Sequence, residues 1–178
     1  MRFVYSDGGR SNYFKGLVDD CVVRAICNAT GKDYKEVYNG INQLAKSERL
    51  SKYRTSRSSA RDGVHKDTTR KYIESIGWMW IPRMSFGTGC TTHLNSAELP
   101  KGDLIVSVSK HLTCVKDGVL YDTFDCSRGG DRCVYGYFVK APDTKRVNEI
   151  RKQIQEHKEA IKILEKELDE CKGVRWFK

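Results

Sequence analysis

A chain of 178 residues, 39% of them apolar, holds enough material for one compact core and an appendage, and too little for two full domains. No apolar run reaches the roughly 18 residues of a membrane span, and the opening MRFVYSDGGR lacks the apolar segment of a secretion signal, so the expectation is a cytoplasmic protein without membrane contact. The net charge of +9 is uneven: Lys46 to Lys71 carries nine basic residues against three acids, a net +6.

In chain order, the first helix is expected at Cys21 with Asp20 as its N-cap. Val22, Ala25, Ile26 and Ala29 make one apolar stripe, and Gly31 ends the helix. A second helix opens on a capping box, Asp33 with Glu36, and carries Tyr34, Val37, Tyr38, Ile41, Leu44 and Ala45 at helical spacing. The basic stretch 46–71 follows. Its composition suits a solvated, flexible surface loop first, and after that a patch for phosphate backbones or an acidic partner, so nucleic acid is a candidate partner there. Asp67 is placed as the cap of a third short helix carrying Tyr72, Ile73 and Ile76 and stopped at Gly77.

The period then changes. WMWIP (78–82), DLIVSVS (103–109), HLTCVK (111–116), VLYDTF (119–124) and CVYGYFV (133–139) are short, β-branched or aromatic segments and predict strands; the segment between Trp80 and Asp103, with its glycines and Pro100, predicts loop. Asp117 and Gly118 form a two-residue hairpin turn, so facing residues sum to 235: Lys116 opposes Val119, Thr113 opposes Asp122 and His111 opposes Phe124. Helices followed by strands define an α+β fold, a helix layer on an antiparallel sheet.

Beyond Pro142 the character shifts again. Val147, Ile150, Ile154, His157, Ile161, Leu164, Leu168 and Cys171 alternate spacings of three and four, a heptad seam that predicts a coiled-coil-like helix. The organisation is therefore a domain over 1–142 and a helix with tail over 143–178. A seam of this kind needs cover, either from a second copy, giving a homodimer through 144–172, or from the chain's own domain, which the off-seam Ile163 favours. The ending VRWFK suits an anchor, a docking segment or a frayed end equally.

Seven cysteines are an odd number, and without a secretion signal no disulfide framework is expected. Cys90 with His93 is the one near match to zinc-ligand spacing and has no second pair, so neither metal nor cofactor is expected. Cys21 is different. A thiol at a helix N-terminus meets partial positive charge and free amide donors, conditions that favour the nucleophilic thiolate, although a buried helix cysteine is the cheaper explanation. Of four histidines, only His111 opens a strand and is held rigidly enough to serve as its base. The hairpin puts Asp122 diagonal to His111 on the same face, where a carboxylate can hold the imidazole; Asp125, of opposite parity, is the reserve.

DDCVVRAI, GKDYKEVYNGI and LPKGDLIVSVSKHLTCVKDGVLYDTFD with RCVYGYF resemble a group of small phage and bacterial proteins with a papain-like fold, over about residues 10 to 140. The resemblance implies an acyl-transfer enzyme (peptidase, isopeptidase or deamidase) acting on a protein or peptide, with Cys21 as nucleophile, His111 as general base and Asp122 as orienting acid. It also implies an amide side chain six residues before the cysteine to stabilise the oxyanion. Here that position is Lys15, and Asn12 is the nearest substitute. The alternative is an inactive papain-fold scaffold that binds through the basic stretch.

Overall fold

The computed structural model describes residues 1–173 except Leu17 and Phe86, with the side chains of 144–148, 150, 151 and 169–173 also outside the description. The chain divides into two units, Met1–Ala141 and Pro142–Lys178. The first is α+β: β1 (Arg2–Tyr5), α1 (Cys21–Thr30), α2 (Tyr34–Ala45), α3 (Lys66–Ser75), β2 (Trp78–Pro82), β3 (Asp103–Val108), β4 (His111–Lys116), β5 (Val119–Asp122) and β6 (Val134–Lys140). Among the described residues no helix is long and apolar enough to cross a membrane.

The strands make one sheet in the order β1-β5-β4-β3-β6-β2. The sheet is mixed, which corrects the antiparallel expectation, because β1 runs parallel to β5 with Arg2 opposite Val119 and Tyr5 opposite Asp122. Four residues, RFVY, with no hairpin turn beside them and a partner near the other end of the domain, carry no local signal of pairing. The hairpin follows its turn chemistry: Lys116 faces Val119, Val115 faces Leu120 and Cys114 faces Tyr121. Asp117 and Gly118 both take positive φ, 46° and 77°, as the tight turn requires.

The caps differ in how they work. Asp33 accepts hydrogen bonds from the Lys35 and Glu36 amides at 2.9 and 3.1 Å, and Gly31 closes α1 in the left-handed region. Asp20 precedes α1 without capping it, since its side chain is drawn to cations elsewhere. Asp67 is inside the first turn of α3, behind His65 at the cap position, and pairs instead with Arg54 at 2.9 Å.

Apolar burial places the layers. Val23, Ile26, Val37, Ile41 and Ile73 from the helices pack with Ile105, Leu112, Cys114 and Phe138 on one sheet face. The other face carries Leu104, Val106, Val108, Val115, Leu120 and Val134, and the long β2–β3 connection covers it with Leu94 and Leu99. That connection is fastened to β6. The Leu94 amide donates to the Arg132 carbonyl at 2.8 Å, and the Val134 amide to that of Thr92 at 2.9 Å. Cys90 and Cys133, 5.8 Å apart at Cα, form a disulfide, which corrects the expectation of none: the loop's return along β6 brings together cysteines that are 43 residues apart. Cys21, Cys27, Cys114 and Cys126 are free thiols.

The basic stretch does not run as a free loop. The Glu48 carboxylate accepts from the Ser58 amide at 2.8 Å and from the Ser58 and Thr68 hydroxyls, while Asn42 accepts from the Ala60 amide at 2.9 Å. Ser58 and Ala60 are buried as a result.

The second unit is the helix α4 (Thr144–Gly173). Of the heptad positions, Ile154, Ile161, Leu164 and Leu168 stand 50 to 62% exposed, as does off-seam Ile163 at 60%. His157 Nδ1 donates to the Gln153 carbonyl 2.6 Å away. The side chains of Val147, Ile150 and Cys171, and the whole VRWFK tail, lie outside the description.

Candidate active site

Three strand and helix ends converge on one place, and the short β1 does much to set them. The Ser6 amide, just past β1, donates to the Asp122 carbonyl at 2.8 Å, so the end of β5 is held from the side away from β4. The Ser6 hydroxyl donates to the Asn28 side chain of α1 at 2.6 Å. Strand β1 therefore joins the helix to the strand end that carries Asp122.

Asp20 lies at the centre of a second junction. Only 1% exposed, it takes Arg10 Nε at 3.1 Å, Arg24 one helical turn ahead, and the Tyr34 hydroxyl. A carboxylate removed from water costs several kcal/mol unless it is paired and hydrogen-bonded, and here it is both. Arg10 also donates to the Lys15 and Gly16 carbonyls and so fastens the segment that leads into α1. Gly8 makes the approach possible: at φ 66° it lies against the Arg24 backbone, and a Cβ there would come within 3.0 Å of the Arg24 Cα. The other end of the Arg24 guanidinium reaches Asp122 at 3.9 Å. Arg24 thus links the start of the helix to the acid on the sheet. The i,i+4 spacing of Asp20 and Arg24 was available in the sequence; the arrival of Arg10 and Asp122 was not.

His111 Nε2 and the Asp122 carboxylate are 2.7 Å apart. The regular β4–β5 ladder stops at Cys114 and Tyr121, so ring and carboxylate meet where β5 continues on β1 alone. The Thr123 amide donates to the second Asp122 oxygen at 2.7 Å, which leaves the first for the ring. Burial disfavours the His111 cation, but the hydrogen bond and charge of Asp122, together with the nearby Cys126 and Cys21 thiols, outweigh it and raise the ring to about 11. Burial likewise disfavours the Asp122 anion, and the His111 hydrogen bond and charge bring that carboxyl below its ordinary range. The Phe124 ring stands 5.2 Å from the imidazole, between centroids.

Asp122 is thus the hydrogen-bonded partner of the imidazole, and Cys21 and Cys126 are the thiols that influence it. Cys126 was missed in the sequence; it is buried, 3.9 Å from an Asp122 oxygen, and nothing in its spacing marks it. His111, Asp122 and Cys126 bring three possible metal-ligand atoms within 4.8 Å of one another. The ring and carboxylate, however, are at the distance of a shared proton; two ligands on a tetrahedral zinc would be about 3.3 Å apart.

Cys21 and His111 line one cleft of about 1770 Å³ between the helix layer and the strand ends. Cys21 is half-buried at the first position of α1. Asn12 is exposed at the end of a 3-10 turn and is not among the cleft residues, and the described residues lining the cleft include no Asn or Gln. Asp125 is exposed and accepts from the Ser127 amide at 2.9 Å, turned to its own loop. The remaining histidines are engaged elsewhere, His65 with the Ser56 carbonyl, His93 with Glu98 and His157 with the Gln153 carbonyl. No family model, curated protein or solved structure matches this chain.

Replacing Asp20 by Ala leaves two buried guanidiniums without their carboxylate, and the expected loss is about 3–5 kcal/mol of unfolding free energy, read by urea titration. A loss under about 1 kcal/mol, the scale of an exposed pair, would show that the junction does not hold the fold. The imidazole pair has a defined pH window. The His111 contribution is complete below the unfolded ring value of 6.5 and fades as pH rises toward about 11; that of Asp122 is present above the ordinary carboxyl value of 3.8 and fades as pH falls through its lowered folded value. Asp122→Asn is therefore expected to cost most between these limits and to bring the His111 titration, followed by nitrogen–proton NMR, down toward its ordinary 6.5.

Proposed function

We propose that the chain is a papain-like cysteine-dependent acyl-transfer enzyme, a peptidase, isopeptidase or deamidase acting on a protein substrate. The observation that carries this is an imidazole hydrogen-bonded to a buried carboxylate and lining the same cleft as a half-buried free thiol. In this reading the Cys21 thiolate, stabilised by the neighbouring imidazolium, attacks the substrate carbonyl and forms the C–S bond. The tetrahedral oxyanion collapses as His111 gives its proton to the leaving amine, yielding a thioester. The neutral ring then takes a proton from water, or from an acceptor amine, which attacks the thioester; the C–S bond breaks and the Cys21 thiolate returns beside the imidazolium. Asp122 keeps Nε2 occupied and so turns the other ring nitrogen toward the sulfur.

The second reading, a scaffold of the same fold without activity, draws on the missing amide side chain. With Asn12 out of the cleft, the Cys21 backbone amide is the one oxyanion donor that the reading can name, and one lost donor typically costs 10²–10³ in rate.

Iodoacetamide labelling followed by peptide mass mapping separates the two. Cys21 is expected to react at least about tenfold faster than the buried Cys27, Cys114 and Cys126 near pH 7, and His111→Ala to remove that lead. If His111→Ala leaves the Cys21 rate unchanged, the enzymatic reading fails and the scaffold stands. The exposed aliphatic row of α4 further supports self-association as a coiled coil through 144–172. The full chain is expected at dimer mass in light scattering, and Ile161→Glu with Leu168→Glu at monomer mass; an unchanged mass would refute the pairing.

A further inference from the structure

The strand order gives the cleft two chemically different sides. From His111 on β4, one direction leads to β5 and β1, where the cleft is lined by Phe124 and Tyr5, exposed by 50% and 68%. Large aromatic rings left open in a concave surface are the usual anchors for apolar side chains of a partner. The other direction leads through β3 to β6 and β2, and the cleft lining there includes the start of α3, which packs on β2.

That second side carries Lys66 and Lys110, both exposed and neither paired with a carboxylate among the described residues. The Lys66 ammonium lies 6.0 Å over the Tyr135 ring of β6, so its stem follows the cleft wall. Lys110 occupies the β3–β4 turn directly before His111 with φ 53°, where an L side chain costs about 1–2 kcal/mol that glycine would avoid. The other charges on that side are already matched, Arg70 to Glu74 at 2.7 Å and Asp67 to Arg54 at 2.9 Å. On the α1 rim, exposed Asp19 next to Cys21 repels an anion and Lys15 offsets it, so the free positive potential belongs to the α3 side.

We propose that the cleft selects a polypeptide with an aromatic or large apolar side chain on the β1–β5 side of the reacting carbonyl and a carboxylate on the α3 side, read by Lys66 and Lys110. This rests on Cys21 being the reacting group, and it narrows the substrate class of that site. Two exposed charge contacts, each modest, together give roughly three- to tenfold discrimination that falls with salt.

The test uses the full chain carrying Cys21→Ala, so that binding is read with no chemistry possible. Fluorescein-labelled heptapeptides present one phenylalanine and two glutamates separated by glycines, in both orders, beside the same peptides with lysine for glutamate, and anisotropy gives each Kd. One glutamate order is expected to bind roughly three- to tenfold tighter than its lysine counterpart, and Lys66→Glu with Lys110→Glu to invert the preference. Equal binding of glutamate and lysine peptides, a preference that survives both reversals, or tighter binding of a short oligothymidylate than of any peptide overturns the proposal. Because the thiol is absent, these outcomes are independent of whether Cys21 in the native chain outpaces the other cysteines.

Discussion

The buried carboxylate of Asp20 is the constraint on which the geometry of the cleft depends. A charge at 1% exposure is tolerated because two guanidiniums and a phenol surround it, and each of those partners comes from a different segment: the turn after β1, the body of α1 and the start of α2. Pulling any one of them away would strand a charge in a region of low dielectric, so the segments move together or not at all. Cys21 follows Asp20 directly. Its position is therefore set by an electrostatic junction as well as by apolar packing.

Arg24 extends that junction across the layers. With one end on Asp20 and the other 3.9 Å from Asp122, it couples the N-terminal turn of α1 to the strand end that orients His111. Burial lowers the guanidinium from its usual value, a sign of how much desolvation the surrounding acids must offset. Thiol, imidazole and acid belong to three elements, yet one side chain and one short parallel strand fix their relative placement. Such over-determination is what a preorganised site requires, since a displacement of about an ångström is enough to uncouple groups that must exchange a proton.

The sheet's second face carries a different lesson about stability. Within Met1–Ala141 a long connection covers it, fastened to β6 by backbone hydrogen bonds and the Cys90–Cys133 link. Loop cover gives less buried apolar area than a helix would, and a covalent tie that limits the unfolded chain is one way to offset that. The helix-covered face instead relies on the fully buried Val23, Ile26, Val37, Ile41 and Ile73.

What was legible in the sequence was what neighbouring residues decide among themselves. The helical stripe after Cys21, the capping by Asp33, and the Asp117–Gly118 turn with its pair sum are local, because a period, a cap or a tight turn needs only a few adjacent side chains. From that turn came the diagonal placement of His111 and Asp122. What only the tertiary structure decided involves partners distant in the chain: the parallel pairing of RFVY with β5, Asp20 taking Arg10 and Tyr34 in place of capping α1, Cys126 arriving beside Asp122, and Cys90 meeting Cys133. None of these has a periodic or nearest-neighbour signature. They follow from burial, which brings distant charges and thiols together and makes each choose the partner that best offsets the loss of water.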